Sequence, residues 1–348
     1  MGSSPDLEEQ AVAKLGRNWF NSFLKRRSED LSYRLPVPQE PERFAVAADD
    51  VRGFYDSLQL LMEERRIHPA LMANVDETML KAIRKWRKVV TRAEDPRPFV
   101  AMDDKVMHIT LLPTVFANGD SLIPLVIVPV KHVPADLPDA TLSSFHWSGQ
   151  SSGWIDKQTF HRFITKVFIP SVIERRRQFQ LEGRWALLLT DGHNSRENPV
   201  MLQECFDNQI EVKSSVAHAS HMMQTLDRGV FRMFKTTLTS LKSTASYSNR
   251  SEWRKQMLRH SASAMATACE RSVVLEAWRE AGCWPVDSSK ALNKKNFPDL
   301  DLPPLEESIP AKRKRSSFNI SNQLLTSAEN IEKLRERDLE TASKRSKH

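Results

Sequence analysis

Apolar positions recur at helical spacing at the start of the chain. Leu15, Trp19 and Phe23, with Phe20 beside them, share one face of a helix over about 14–27. Lys25, Arg26 and Arg27 close it. A proline-rich linker at 36–42 leads to a second helix over about 48–66, with Val51, Phe54, Leu58 and Leu61 on one side. Asp49 or Asp50 is placed to cap its start. Beyond Asp76 the pattern turns to strands. Residues 106–116 are rich in β-branched and large apolar side chains, Asn118-Gly119-Asp120 is a turn signal, and 122–130 returns, so a hairpin is expected.

Gly153-Trp154 then opens a helix over about 156–179, in which Pro170 should kink or break the ladder. The apolar run 185–190 reads as a buried strand, ended by Asp191-Gly192. A short helix over 199–207 and a strand over 210–216 follow. Helical spacing resumes at Asp227 and runs through Val230, Phe234, Leu238 and Leu241. Another helix, 272–281, stops at Gly282. From about Asn293 the chain is polar and punctuated by proline, and mostly disordered structure is expected, with one helix near 328–341. This order reads as an α/β chain, with helices covering a mixed sheet.

Composition narrows the chemistry. With 10 glycines, no GxGxxG and no phosphate-binding loop of the Walker type, glycine-cradled nucleotide binding is disfavoured. Three cysteines, Cys205, Cys269 and Cys283, make no CxxC pair and suit a reducing compartment. The longest apolar run, 122–130, is too short to span a bilayer, so no membrane partner is expected. The net charge is +7, but residues 311–348 hold ten Lys or Arg against five Asp or Glu and so carry +5 of it. The body is not a uniformly basic DNA-coating protein.

Three aspartates stand out by position. Asp191 leaves a buried strand, Asp76 lies in Asn74-Val-Asp-Glu-Thr78, and Asp227 opens a helix. Isolated charges at such places are costly unless paired. Each alone reads as a cap or turn residue. Brought together, three carboxylates call for a divalent metal ion. Two such ions suffice for phosphodiester chemistry.

The three segments together resemble the DDE transposases of the pogo, Tigger and jerky branch of the mariner superfamily. Asn74–Thr78 matches its NxDET motif, Leu187–Ser195 its LxxDGHxSH, and His221–Phe231 its THxxQPLDxGVF. Thirty-five residues separate Asp191 from Asp227, as suits that family. Ser152-Gly-Trp-Ile155 and Ala281-Gly-Cys-Trp-Pro285 add support, and the resemblance covers about 15–287. It implies an RNase H-like core over 70–287, with Asp76, Asp191 and Asp227 as catalytic metal ligands for two Mg²⁺ or Mn²⁺ ions. It also implies DNA strand cleavage and transfer. A relative that binds DNA in the nucleus without catalysis is the alternative. Two departures stand beside the acids: Arg196 replaces the His after Ser195, and Thr225 replaces the Pro before Leu226.

Further candidates follow from that frame. His193 and His221 are placed to contact the acids from outside the metal shell. Lys25, Arg26, Arg27, Arg196 and Lys235 are candidate DNA contacts. Lys312-Arg-Lys-Arg315 reads as a nuclear import signal in the basic tail, 288–348. Residues 1–35 resemble the end of a helix-turn-helix domain, with linker and helix over 36–69. They are too few for the two such units that the family carries. DNA-end recognition is therefore expected to be missing or to come from a second chain, with a homodimer as one form.

Overall fold

Two runs are buried at every residue: β1, Met72–Val75, and β7, Ala186–Thr190. Continuous burial is the mark of strands covered on both faces. They pair in parallel, and β7 pairs in parallel with β8, Ile210–Ser214. On the other side β1 pairs antiparallel with β4, Thr114–Phe116. The order β4-β1-β7-β8 gives one four-stranded mixed sheet. A second has the order β2-β3-β5-β6, from Thr78–Leu80, Ile109–Leu112, Leu125–Val128 and His146–Gly149. The sheets are joined by chain continuity. β1 resumes as β2 after Asp76 and Glu77, and β3 resumes as β4 after Pro113, a residue with no N–H to give a ladder. An antiparallel hairpin flanking a central strand, with two parallel strands beyond it, is the RNase H-like arrangement that the resemblance implies.

The computed structural model describes residues 17–27, 46–80, 108–133, 144–243, 250–293, 296–297 and 322–345. Residues 1–44 and 45–348 are separate units. In the first, α1, Arg17–Arg26, stacks Trp19 on Phe23 with ring centroids 5.3 Å apart. Lys25, Arg26 and Arg27 are exposed there.

In the second unit, helices cover both sheet faces, and alternation sorts the side chains. Met72, Leu187 and Leu189 join one core; Ala73, Val75, Ala186 and Leu188 join the other. The first core includes α2, Ala48–Arg65, which buries Val51, Phe54, Tyr55, Leu58, Leu61 and Met62. This helix belongs to the core unit rather than to a linker. Its N-cap is Ala47, so Asp49 and Asp50 lie in the first turn, where they complement the helix dipole instead of capping.

The second core is covered by α3, Lys157–Phe163, and α4, Ile169–Gln178. A wider π-type turn, Ile164–Phe168, joins them and leaves Pro170 in the first turn of α4, where its missing N–H costs nothing. The break expected at Pro170 is therefore absorbed as a bulge. α5, Pro199–Asp207, follows β7. After β8, a π-type turn at Leu226–Val230 leads into α6, Phe231–Ser243. α7, Arg250–Ala268, and α8, Arg271–Glu280, complete the first face.

Residues 322–327 of the tail are ordered on the sheet, where mostly disordered structure is expected. Leu324 bridges Lys213 in an antiparallel manner, the Ser214 N–H donates to the Gln323 carbonyl at 3.0 Å, and the Leu325 N–H donates to the Val212 carbonyl at 2.7 Å. The segment covers the outer edge of β8. It then forms α9, Ala328–Arg345, the helix expected near 328–341; Leu325 of the segment and Ile331 and Leu334 of the helix are buried in the second core.

β8 also carries two buried charges toward α2. Glu211 pairs with Arg65 at 2.8 Å and accepts from Thr326. Lys213 reaches Ser57 Oγ at 2.9 Å and lies 5.1 Å from the Phe54 ring centroid. Burial pushes the Lys213 ammonium down to about 8. Its folded value therefore lies below its unfolded one, and the unfolded chain binds the proton more tightly. This residue's contribution to stability rises with pH from about 8 to 10.5. A Lys213→Met chain should resist urea better than the parent at pH 7, by up to roughly 3 kcal/mol. The gap should narrow in unfolding curves taken near pH 10. A gap of constant size at both pH values contradicts this.

Candidate active site

The register of the central strands sets the site. Asn74 is opposite Leu189 in the parallel pair β1–β7. Two residues further along each strand are Asp76 and Asp191. Both leave the carboxyl ends of adjacent parallel strands, where ligands gather in open α/β sheets. The strand pairing is interrupted at Asp76 and Glu77, between β1 and β2, and Glu77 reaches the same place. Carboxylate oxygens of Asp76, Glu77 and Asp191 all lie within 4.8 Å of one another. Among the described residues, no other three His, Cys, Asp or Glu side chains come together in this way. The His218-x-x-His221 spacing builds no metal cluster.

Asp227 lies in the π-type turn before α6 and is exposed. It stands outside the tight trio, beside a polar cleft lined by Arg228, Arg232, Glu276 and Glu280. Its charge still reaches Asp76. Burial, then the charges of Asp191, Glu77 and Asp227, push the Asp76 carboxyl well above the usual carboxylate range, against the pull of Arg196. Such repulsion is what a bound divalent cation relieves.

One side chain ties the three acid-bearing segments together. Asn74 is 1% exposed. Its Nδ2 donates to the Leu189 carbonyl at 3.1 Å and to Gln224 Oε1 at 2.7 Å, and its Oδ1 accepts from the Leu226 N–H at 3.1 Å. Leu189 is two residues before Asp191, and Leu226 is one before Asp227. Gln224 donates in turn to Ser215 Oγ at 3.1 Å. Asn74 and Gln224 are thus positioning residues, and their place in the motifs beside the acids is the signal that could have found them.

Arg196 is 0% exposed. Its Nη2 lies 2.9 Å from Glu77 and 3.1 Å from Asp191, its Nε donates to Thr190 Oγ1 at 2.9 Å, and its Nη1 donates to Ser195 Oγ. The guanidinium is 4.1 Å from the Phe160 ring centroid. Burial alone would lower its pKa, but Glu77, Asp191 and Asp76 outweigh that and hold it fully charged. Expected from sequence as a DNA contact, it has no surface with which to touch one. The sequence reading also missed Glu77, because strict strand alternation puts it on the face opposite Asp76.

The remaining candidates are scattered. His193 is exposed, and its Nδ1 accepts from the Ser195 N–H at 3.2 Å, holding the turn Asn194–Arg196. His221 is half-buried in the helical turn Ser220–Met223, ahead of Asp227. Lys235 is exposed on α6. Lys25, Arg26 and Arg27 belong to the separate N-terminal unit. Lys312, Arg313, Lys314 and Arg315 lie outside the described residues.

A family model described as DDE superfamily endonuclease matches residues 106–281, just over half of the chain. The chain belongs to this family. The matched span holds Asp191, Arg196 and Asp227, and Asp76 precedes it. The Jerky protein of Mus musculus is 26% identical over 191 residues, 54% of this chain and 32% of that protein. The chain thus spans about a third of that relative's length. Among solved structures, the Mos1 mariner paired end complex with Mn matches with a TM-score of 0.46 at 10% identity, covering 84% of this chain and 81% of that one. The Mos1 transposase catalytic domain with Raltegravir and Mn matches with a TM-score of 0.39 at 10% identity, covering 74% and 98%.

Proposed function

We propose that this DDE endonuclease chain cleaves DNA strands and transfers their ends with the help of Mg²⁺ or Mn²⁺. The observation that carries the reading is the carboxylate trio at the ends of two adjacent parallel strands. The donor set suits a hard cation: it is all oxygen, half-buried and reachable from solvent. Asp76 and Asp191 would hold the ion, with Asp227 reaching it from the exposed helix start. When bound, such an ion supplies an activated water or 3′-hydroxyl and charge against the leaving oxygen.

The chain's own residues do the rest. Asn74 fixes the spacing of the three segments, and Gln224 braces Asn74 from behind. The half-buried trio and the exposed Asp227 face solvent, which suits a polymer strand better than a small enclosed ester. Arg228, Arg232 and Lys235, near or beyond Asp227, are placed to meet phosphates by charge. Nuclear import through the basic run at 312–315 belongs to the same proposal. A DNA-binding role without cleavage is the second reading, and the buried Arg196 beside the acids favours it.

Nicking of supercoiled plasmid tests the proposal. Purified chain with Mn²⁺ or Mg²⁺ should convert plasmid to the open circle, and Asp191→Ala should return nicking to background. Equal nicking by both proteins, or none by the parent with either ion on DNA bearing matching ends, would overturn it.

A further inference from the structure

We propose that Arg196 is an internal counter-ion, occupying with its guanidinium a place that a divalent cation would otherwise take, so that this chain binds its metal weakly. The inference rests on the metal-dependent reading above and deepens it. A fully buried arginine is a costly group, retained only where its charge and its N–H donors are met. Here the side chain leaves the turn after Asp191, passes over the Phe160 ring, and ends between Asp191 and Glu77. Two of the three carboxylates of the trio are therefore already in contact with a cation that cannot leave, and its single charge offsets one of their two.

The directions of the contacts sharpen this. Nε and Nη1 make aligned hydrogen bonds to Thr190 and Ser195. Nη2 is given to the carboxylates alone, 2.9 Å from Glu77 and 3.1 Å from Asp191. Thr190 and Ser195 thus hold the fork in place, and its remaining corner brings the positive charge against the acids. A second cation arriving a few Å away meets that charge head-on. Even at the full dielectric of water, repulsion between a unit charge and a divalent ion about 5 Å apart amounts to roughly tenfold in affinity, and a lower effective dielectric makes it larger. The family motif has His at this position, a side chain that is mostly neutral above pH 7. Arg196 is therefore a positioning and tuning residue, since it acts through Asp191 and Glu77.

Mn²⁺ binding, followed by the loss of free Mn²⁺ signal in electron paramagnetic resonance at pH 8, tests this without reference to catalysis. Wild type, Arg196→Met, Arg196→His and Arg196→Lys are compared, with Mn²⁺-dependent shifts in Tm as a second readout. Arg196→Met and Arg196→His should bind Mn²⁺ at least about tenfold more tightly than wild type, and Mn²⁺ should raise their Tm more. Arg196→Lys keeps the charge and should bind as weakly as wild type. Should Arg196→Met fold poorly, Arg196→His carries the comparison. Equal affinity across all four proteins overturns the counter-ion while leaving the metal centre intact. Absence of binding by every protein, the neutral variants included, overturns the counter-ion and the metal-dependent reading together.

Discussion

An Asn74→Ala chain should lose about 3 kcal/mol of stability and its DNA nicking together. The change deletes three hydrogen bonds in a site that is 1% exposed. It strands the Leu226 N–H, the Leu189 carbonyl and Gln224 Oε1, and no solvent reaches them. Each stranded group costs about 1–3 kcal/mol, partly offset where a water enters the small cavity. The functional loss follows from position. Leu189 and Leu226 lead directly into Asp191 and Asp227, so slack here moves two acids relative to Asp76. Asn74→Asp is the sharper control. It keeps an acceptor for the Leu226 N–H but turns an acceptor toward two others, so it should be no milder. Urea unfolding and plasmid nicking on the same preparations check both. A stable, inactive Asn74→Ala would show that the side chain positions without supporting the fold, and a stable, active one would remove Asn74 from the site.

Deletion of residues 322–348 should have an effect of similar or greater size. The tail covers the β8 edge, and without it the N–H of Ser214 and the carbonyl of Val212 lose their partners. Leu325, Ile331 and Leu334 leave the second core, each worth roughly 2 kcal/mol of burial before the entropy of ordering the tail is subtracted. Glu211 loses Thr326, and Glu197, beside Arg196, loses its 2.6 Å contact to Arg337. The truncated chain should unfold at lower urea and associate through its open edge. Denaturation curves and size-exclusion profiles decide it. An unchanged midpoint and a single unshifted peak would mean that the tail is only loosely held.

Legibility from sequence followed the physics of each element. The strand before Asp191 was readable because a strand buried on both faces is nearly all apolar, and Asp191-Gly192 ends it; β1 was less so, since Asn74 is one of its four buried residues. The hairpin was readable from Asn118-Gly119-Asp120, and Gly119 does adopt a positive φ of 94°. α7 was not anticipated, because its buried face, Met257, Leu258, Ser261, Ala264, Met265 and Ala268, is half made of small or polar residues and so contrasts weakly with the rest of the helix. β6, with its half-buried His146–Gly149, carries no strand signature in its residues. The docking of the tail was invisible because 322–327 pairs through its backbone, which composition does not report. Glu77 was hidden because it lies in the break between β1 and β2, where strand alternation does not hold. Arg196 was flagged as a cation near the acids, but only the fold shows that Phe160, Thr190 and Ser195 turn it inward.

The most direct measurement is an anomalous difference map from crystals of the chain soaked in Mn²⁺. The expected result is a peak coordinated by carboxylate oxygens of Asp76 and Asp191, lost in crystals of Asp76→Asn. A map with no peak at these residues, in a lattice that leaves the strand ends open to solvent, would contradict the metal-dependent reading of this endonuclease site.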